Sequence, residues 1–316
     1  MSGKKTIVVA GATGAQGGGL VRAILSDPAR EFAVRGLTRD VNSEKAQELT
    51  RMGAELVACD IGDEAALAKA YEGAYGAFCV TFFWAHFSPE RELAEASAMA
   101  RAAKTAELKH VIWSTLEDTR KFVSLEDDRM PTLMGKYKVP HFDAKGEADD
   151  LFRQLGVPTT FLLTSFYWDN FIYFGAGPQK GPDGRYAITM PMGNEKLPGI
   201  AAEDIGKCAY GIFKAGDEFT GKTVGISGEH LTGEEMAAAL GAALGMEVGY
   251  NAVDPAAYRS FGFPGAGDLG NMFQFNRDFS GYFCGIRDVA LSRKLNPEMK
   301  DLITWLAANA SKIPLG

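Results

Sequence analysis

The first 165 positions carry short apolar runs separated by stretches that begin and end on helix-capping residues. Thr6-Ile-Val-Val-Ala10 is β-branched and apolar throughout, as a strand buried on both faces of a parallel sheet has to be. The pattern predicts further strands at 32–38, 55–59, 77–81, 111–114 and 159–163. Between them it predicts a helix at 17–25, one from Ser43 to a stop at Gly53, and one from an Asp63 cap to Gly73. Ser88-Pro89 opens a fourth, with proline at the tolerated first position. A polar loop from Glu117 to Pro140 precedes a fifth helix at about 143–155.

Strand, helix, strand in this order implies right-handed crossovers and a parallel sheet with helices on both faces. The expected fold is therefore α/β, a doubly wound parallel sheet of the Rossmann type over 1–165, with a smaller C-terminal α+β lobe over 166–316. A strand at 222–226 is expected to return to the main sheet. In the lobe, 185–191 reads as a strand and Glu203 onward as helix. Thr232-Gly-Glu-Glu235 is a capping box, and Asp254-Pro255 opens a further helix. The lobe is expected over the carboxyl ends of the strands, where such sheets bind ligands.

Between the first strand and helix stands Gly11-Ala12-Thr13-Gly14-Ala15-Gln16-Gly17, spaced G-x-x-G-x-x-G. Its strand-to-helix context makes it informative, since isolated spaced glycines are weak signals. Gly11 permits the sharp exit, Gly14 the approach of a pyrophosphate, and Gly17 close helix packing. N–H groups at the helix start then hold the diphosphate of a dinucleotide. The second strand ends Thr38-Arg39-Asp40. Arg39 is placed to pair with the 2′-phosphate of NADP(H), whereas Asp40 could instead face a ribose hydroxyl, as in NAD sites.

Composition narrows the class. Apolar residues make up 46% and charged residues 23%, as in ordinary globular proteins. The net charge of -7 argues against nucleic-acid or anionic-membrane partners, which need clustered positive charge. The longest uncharged apolar stretch, Ala74 to Phe87, falls well short of the roughly 20 residues of a membrane helix. A cytoplasmic location is expected, since the N-terminus is polar and runs straight into a strand. Cys59, Cys79, Cys208 and Cys284 form no CxxC and are expected as reduced, buried thiols. The histidines show no ligand spacing with each other or with cysteines, so no metal is expected.

With GATGAQGG, LTRD and His141-Phe-Asp-Ala-Lys-Gly-Glu-Ala-Asp-Asp150 in place, the chain resembles the NmrA-like family of atypical short-chain dehydrogenase/reductase folds. Ala58-Cys-Asp-Ile-Gly-Asp63, Phe166-Tyr-Trp-Asp-Asn170 and the segment Gly262 to Phe273 extend the likeness over nearly the whole chain, closest in pattern to the eukaryotic NmrA-like redox sensors. The resemblance implies NADP(H) binding and either regulation of another protein by contact or hydride transfer to a small hydrophobic substrate such as a quinone, carbonyl or enone. It implies that Thr13, Gly14, Ala15, Gln16 and Gly17 hold the pyrophosphate and Arg39 the 2′-phosphate. Asp60 and Ile61 would border the adenine, and Thr81, Phe82 and Phe83 the nicotinamide-side ribose. Lys145 would bond that ribose, and Phe166, Tyr167 and Trp168 would close over the nicotinamide.

Catalytic members of the superfamily carry Tyr-x-x-x-Lys on the helix before the sixth strand. Here the pair is His141 and Lys145, with Ser114 as a further polar partner. Histidine can act as acid or base near neutral pH, so the pair could serve a reductase. Alternatively His141 merely precedes or caps the helix and Lys145 only holds cofactor. The aromatic runs Phe82-Phe83-Trp84 and Phe166-Tyr167-Trp168 read as pocket wall or as core. Met272, Phe273 and Phe275, like Leu302 to Leu306, read as packing.

Overall fold

In a computed structural model describing residues 3–316, strands and helices alternate from the outset. They run β1 Lys5–Val9, α1 Ala15–Ser26, β2 Phe32–Thr38, α2 Glu44–Arg51, β3 Glu55–Ala58, α3 Glu64–Tyr71, β4 Gly76–Cys79, α4 Pro89–Thr105, β5 His110–Thr115, α5 Pro140–Gln154 and β6 Thr159–Leu163. Shorter elements follow: β7 Phe166–Tyr167, α6 Asn170–Tyr173, β8 Gln179–Lys180, β9 Tyr186–Thr189 and β10 Leu197–Ile200. The chain then forms α7 Ala202–Lys214, β11 Thr223–Gly225, β12 Glu229–Leu231, α8 Gly233–Leu244 and β13 Val248–Asn251. It ends in α9 Pro255–Arg259, α10 Ala266–Asp278, α11 Ser280–Ile286, α12 Val289–Leu295 and α13 Leu302–Asn309.

The chain divides into two units, and neither is continuous in sequence. One holds the chain up to Asp118, His141–Leu163 and Glu203–Val224; the other holds Thr119–Pro140, Thr164–Ala202 and Gly225–Gly316.

The first unit is a seven-stranded sheet in the order β11-β6-β5-β4-β1-β2-β3. Strands β1 to β6 pair in parallel throughout. Val8, Ala77, Val111 and Trp113 from the strands pack with Leu67, Tyr71, Met99 and Phe152 from α3, α4 and α5. The predicted caps form: Ser43, Asp63 and Ser88 side chains accept from the first turns of α2, α3 and α4. The returning strand appears as β11 at the edge beside β6. Two glycines let α1 and α7 meet backbone to backbone. A Cβ on Gly19 would lie 2.3 Å from the Glu203 carbonyl oxygen, and one on Gly206 would lie 2.1 Å from Leu20 N.

The second unit holds two three-stranded sheets, β12-β10-β7 and β13-β9-β8, with the helices from α8 onward. The capping box at Thr232 and Glu235 closes α8 as expected. Met272, Phe273 and Phe275 are buried, as are Leu302, Trp305 and Leu306 of α13. In the polar segment before α5, the fully buried Lys138 ammonium donates to the carbonyls of Leu125, Asp127 and Met130. Three cysteines are buried as expected, but Cys284 is half-buried.

Candidate cofactor site

Because β1 to β6 are parallel, their carboxyl ends share one edge, and strand order reverses there between β1 and β4. Ligands of doubly wound sheets bind at such a point. The glycine turn leaves β1 at it. Gly11 takes φ +60°, a conformation that disfavours any side chain. The turn closes with Gly14 N–H donating to the Gly11 carbonyl at 2.8 Å. A Cβ on Gly17 would stand 2.4 Å from the Gly11 oxygen and 2.8 Å from the Ala10 oxygen. Gly17 therefore serves the turn's own carbonyls as well as helix packing. Gly36 plays a part the pattern did not single out: its missing Cβ would meet that of Ala12 at 2.7 Å. No side chain caps α1 at Gly14, in contrast to α2, α3 and α4. The positive end of α1 is thus presented by backbone alone, with Thr13, Ala15 and Gln16 at its mouth.

On one side of the turn, Arg39, Ala58, Cys59, Asp60, Asp63 and Ala66 line a cleft of about 410 Å³. A second cleft of about 460 Å³ continues past Asp60 and Asp63 to Arg91 and Glu95. Asp40, beside Arg39, is engaged within its own loop. Its Oδ1 accepts from Asn42 N at 2.8 Å, and its carbonyl accepts from the Ser43 hydroxyl. Asp60 Oδ1 likewise accepts from Gly62 N at 2.8 Å. Ile61 packs half-buried against the sheet's core. Burial, with Asp63 and Asp60 close by, raises the Cys59 thiol pKa, so it stays protonated.

On the other side lie the residues after β4 and those on α5. Helix α5 begins at Pro140, so His141 is helical and shares a face with Lys145 one turn on. The His141 ring is buried, 4.7 Å from the Trp84 ring and 6.0 Å from that of Phe83. Phe83 is buried while Phe82 is 54% exposed, so the two neighbours play different parts. The Ser114 hydroxyl donates to Gln16 Oε1 at 2.8 Å and ties β5 to the start of α1. In the second unit, Trp168 is fully buried, 6.4 Å from the Trp305 ring, and its indole fills the space a Cβ on Gly199 would need. Phe166 packs on Phe171 and Phe273, and the Tyr167 hydroxyl donates to Thr164.

Sequence reading missed Glu92 and its neighbour His86. Glu92 is fully buried, and its Oε1 lies 2.7 Å from Lys145 Nζ. Lys145 also donates to Thr81 Oγ1 at 2.5 Å, and the Thr81 hydroxyl in turn donates to Glu92. Behind Glu92 sits His86, with Nε2 3.4 Å from Glu92 Oε2 and 3.8 Å from Glu95 Oε2. His86, Glu92 and Glu95 each offer a ligand atom, all within 4.8 Å of one another. Hydrogen bonding argues against a cation there. Ser88 N–H donates to His86 Nδ1 at 3.0 Å, so the proton of the neutral ring must sit on Nε2, the atom that would ligate. The Lys145 ammonium already neutralises Glu92, and Arg91 Nε holds Glu95 at 2.8 Å. A glutamate in the first turn of a helix ordinarily reads as a dipole partner on the surface, so the sequence carried no signal for this one.

A model of the NmrA-like family matches residues 3–306. The chain belongs to the NmrA-like family. It is 27% identical over 297 residues to an NmrA-like family domain-containing protein of Dictyostelium discoideum, covering 90% of this chain and 92% of that one. It is 30% identical over 257 residues to the NmrA-like family domain-containing oxidoreductase malD of Malbranchea aurantiaca, covering 74% of this chain and 71% of malD. Among solved structures it is similar to NmrA, a negative transcriptional regulator, in complex with NADP. That match has 25% sequence identity and a TM-score of 0.78, covering 98% of this chain and 96% of that one. Among the described residues, no helix is long and apolar enough to cross a membrane.

Proposed function

We propose that this NmrA-like chain binds NADP(H) and acts as a sensor of its level, passing the signal on by contact with a protein partner. The glycine turn fits a diphosphate, since Cβ atoms on Gly14 and Gly17 would crowd the Gly11 oxygen and push the turn open. Arg39 supplies the cation for a 2′-phosphate, in a cleft it shares with Asp60. The complex of NmrA with NADP supports the same cofactor for this chain.

The observation that carries the sensing role is how the groups of a proton-transfer trio are engaged. His141 replaces the tyrosine and is walled by Trp84 and Phe83, Ser114 donates to Gln16, and Lys145 is ion-paired to Glu92. NADPH, when bound, supplies a hydride; Ser114 and Lys145 are each held by another residue, Gln16 and Glu92. A second reading, a reductase of a quinone or a small carbonyl or enone, draws on the shared face of His141 and Lys145 on α5 and on the oxidoreductase name of malD.

Calorimetry with NADPH and a steady-state assay against quinones, aldehydes and enones separate the two. A sensor binds NADPH, leaves it unconsumed with every acceptor, and changes shape or partner affinity with cofactor. Sustained NADPH consumption that disappears in Lys145→Ala would make the protein a reductase.

A further inference from the structure

We infer that Glu92 is a positioning residue of this site: it fixes the Lys145 ammonium in place, and so sets how tightly the nicotinamide half of the dinucleotide is held. The inference rests on the NADP(H) reading and on a role of Lys145 towards the nicotinamide-side ribose.

Burial makes the pair interdependent. Glu92 is fully buried and Lys145 is 9% exposed, and neither charge is tolerated there alone. Lys145 faces Glu92 from α4, the Thr81 hydroxyl and carbonyl after β4, and the ring of Trp113 on β5 at 5.3 Å. Among these only Glu92 carries a negative charge. The other carboxylate of α4 nearby, Glu95, is matched by Arg91, and Asp149 on α5 accepts from Thr115 at 2.7 Å. Glu92 is therefore the counter-ion of Lys145.

Glu92 is itself aimed from behind. Its Oε2 makes no hydrogen bond, nor does His86 Nε2, which lies 3.4 Å from it. Ser88 N–H donates to His86 Nδ1 at 3.0 Å, which holds the ring with Nε2 turned towards the carboxylate. His86 thus backs the free oxygen of the Glu92 carboxylate, on the side away from Lys145. The four side chains Thr81, His86, Glu92 and Lys145 form one built arrangement, of which only Thr81 and Lys145 stood out in the sequence.

The test compares two ligands by calorimetry: NADPH, and adenosine 2′,5′-bisphosphate, which carries the adenine end alone. In parallel, acylation of Lys145 in the ligand-free protein is mapped by peptide mass spectrometry with an amine-reactive reagent. In Glu92→Gln, NADPH binding is expected to weaken about tenfold or more, as when one member of a buried charge pair is removed. Bisphosphate binding should stay at the wild-type level, acylation of Lys145 should rise, and Glu92→Asp should recover much of the NADPH affinity. Unchanged NADPH affinity and unchanged acylation would overturn the inference, as would an equal loss for both ligands, which signals general damage. Should Glu92→Gln fail to fold, His86→Ala leaves the ion pair intact and should show the same NADPH-selective loss on a smaller scale; no such loss would also overturn it. If wild-type protein binds neither ligand, the cofactor reading fails, and the acylation comparison still decides whether Glu92 holds Lys145.

Discussion

Arg39 and Asp40 sit side by side at the end of β2, and their partners tell them apart. Asp40 is turned into its own loop by Asn42 N–H, while Arg39 lines the cleft. A guanidinium meeting a phosphate contributes about 1.5–3 kcal/mol, or roughly 10–100-fold in affinity. Arg39→Ala is accordingly expected to remove most of a preference for NADPH over NADH, measured by calorimetry; equal wild-type affinities for the two would sink the assignment. At this scale the sequence was legible where chemistry is carried by a motif, as in the glycine turn, Arg39 and Lys145. It was silent on Glu92 and His86, because nothing in Ser88-Pro-Glu-Arg-Glu92 says which glutamate is buried. That choice is made by the packing of α4 on the sheet. Trp168 teaches the converse, since an aromatic at a strand end reads equally as pocket wall or core and here is fully buried in its own unit.

Helix α1 begins on a turn with no room to spare, and Gly17 shows how little. An added methyl would meet two backbone carbonyls that have no flexible side chain to yield. Gly17→Ala is expected to lower stability by about 1–3 kcal/mol, as overpacking does, and to abolish dinucleotide binding. Urea unfolding and calorimetry check both, and a variant that binds normally would show that the turn relaxes. The elements of the first unit were legible because long β-branched runs and side-chain caps are local signals. Strand β2 falls where the pattern put it, 32–38, and β6 at 159–163. The start of α5 was not legible: the polar segment before it offers no clear cap, and the helix takes up Pro140 and His141. Strands β7, β8 and β12 have two or three residues each, too few for an alternation to declare itself.

At the scale of the whole molecule, pH acts through His110, the fully buried first residue of β5. The Thr160 hydroxyl donates to the Phe219 carbonyl, so His110 Nε2 donates to Thr160, and Nδ1 has no partner. Burial, partly offset by Asp217, depresses its pKa from 6.5 to about 4. Above the unfolded value both states keep the ring neutral. As pH falls from 6.5 towards about 4, the unfolded chain takes up a proton that the folded one does not, and stability declines. The full loss is about 3 kcal/mol. Chemical unfolding between pH 7 and 4.5 should show this decline and a shallower one in His110→Gln; parallel slopes would assign the acid sensitivity elsewhere. The return of β11 to the sheet has a consequence during synthesis. The ribosome releases β6 first, and its outer partner follows only after the 164–202 segment and α7. At about 5–20 residues per second, a gap of roughly 60 residues leaves that edge open for roughly 3–12 s. For that interval the nascent chain displays a bare row of amides and carbonyls beside Phe161, an invitation to chaperones or to another emerging copy. A polypeptide terminated after β6 would keep that edge for good.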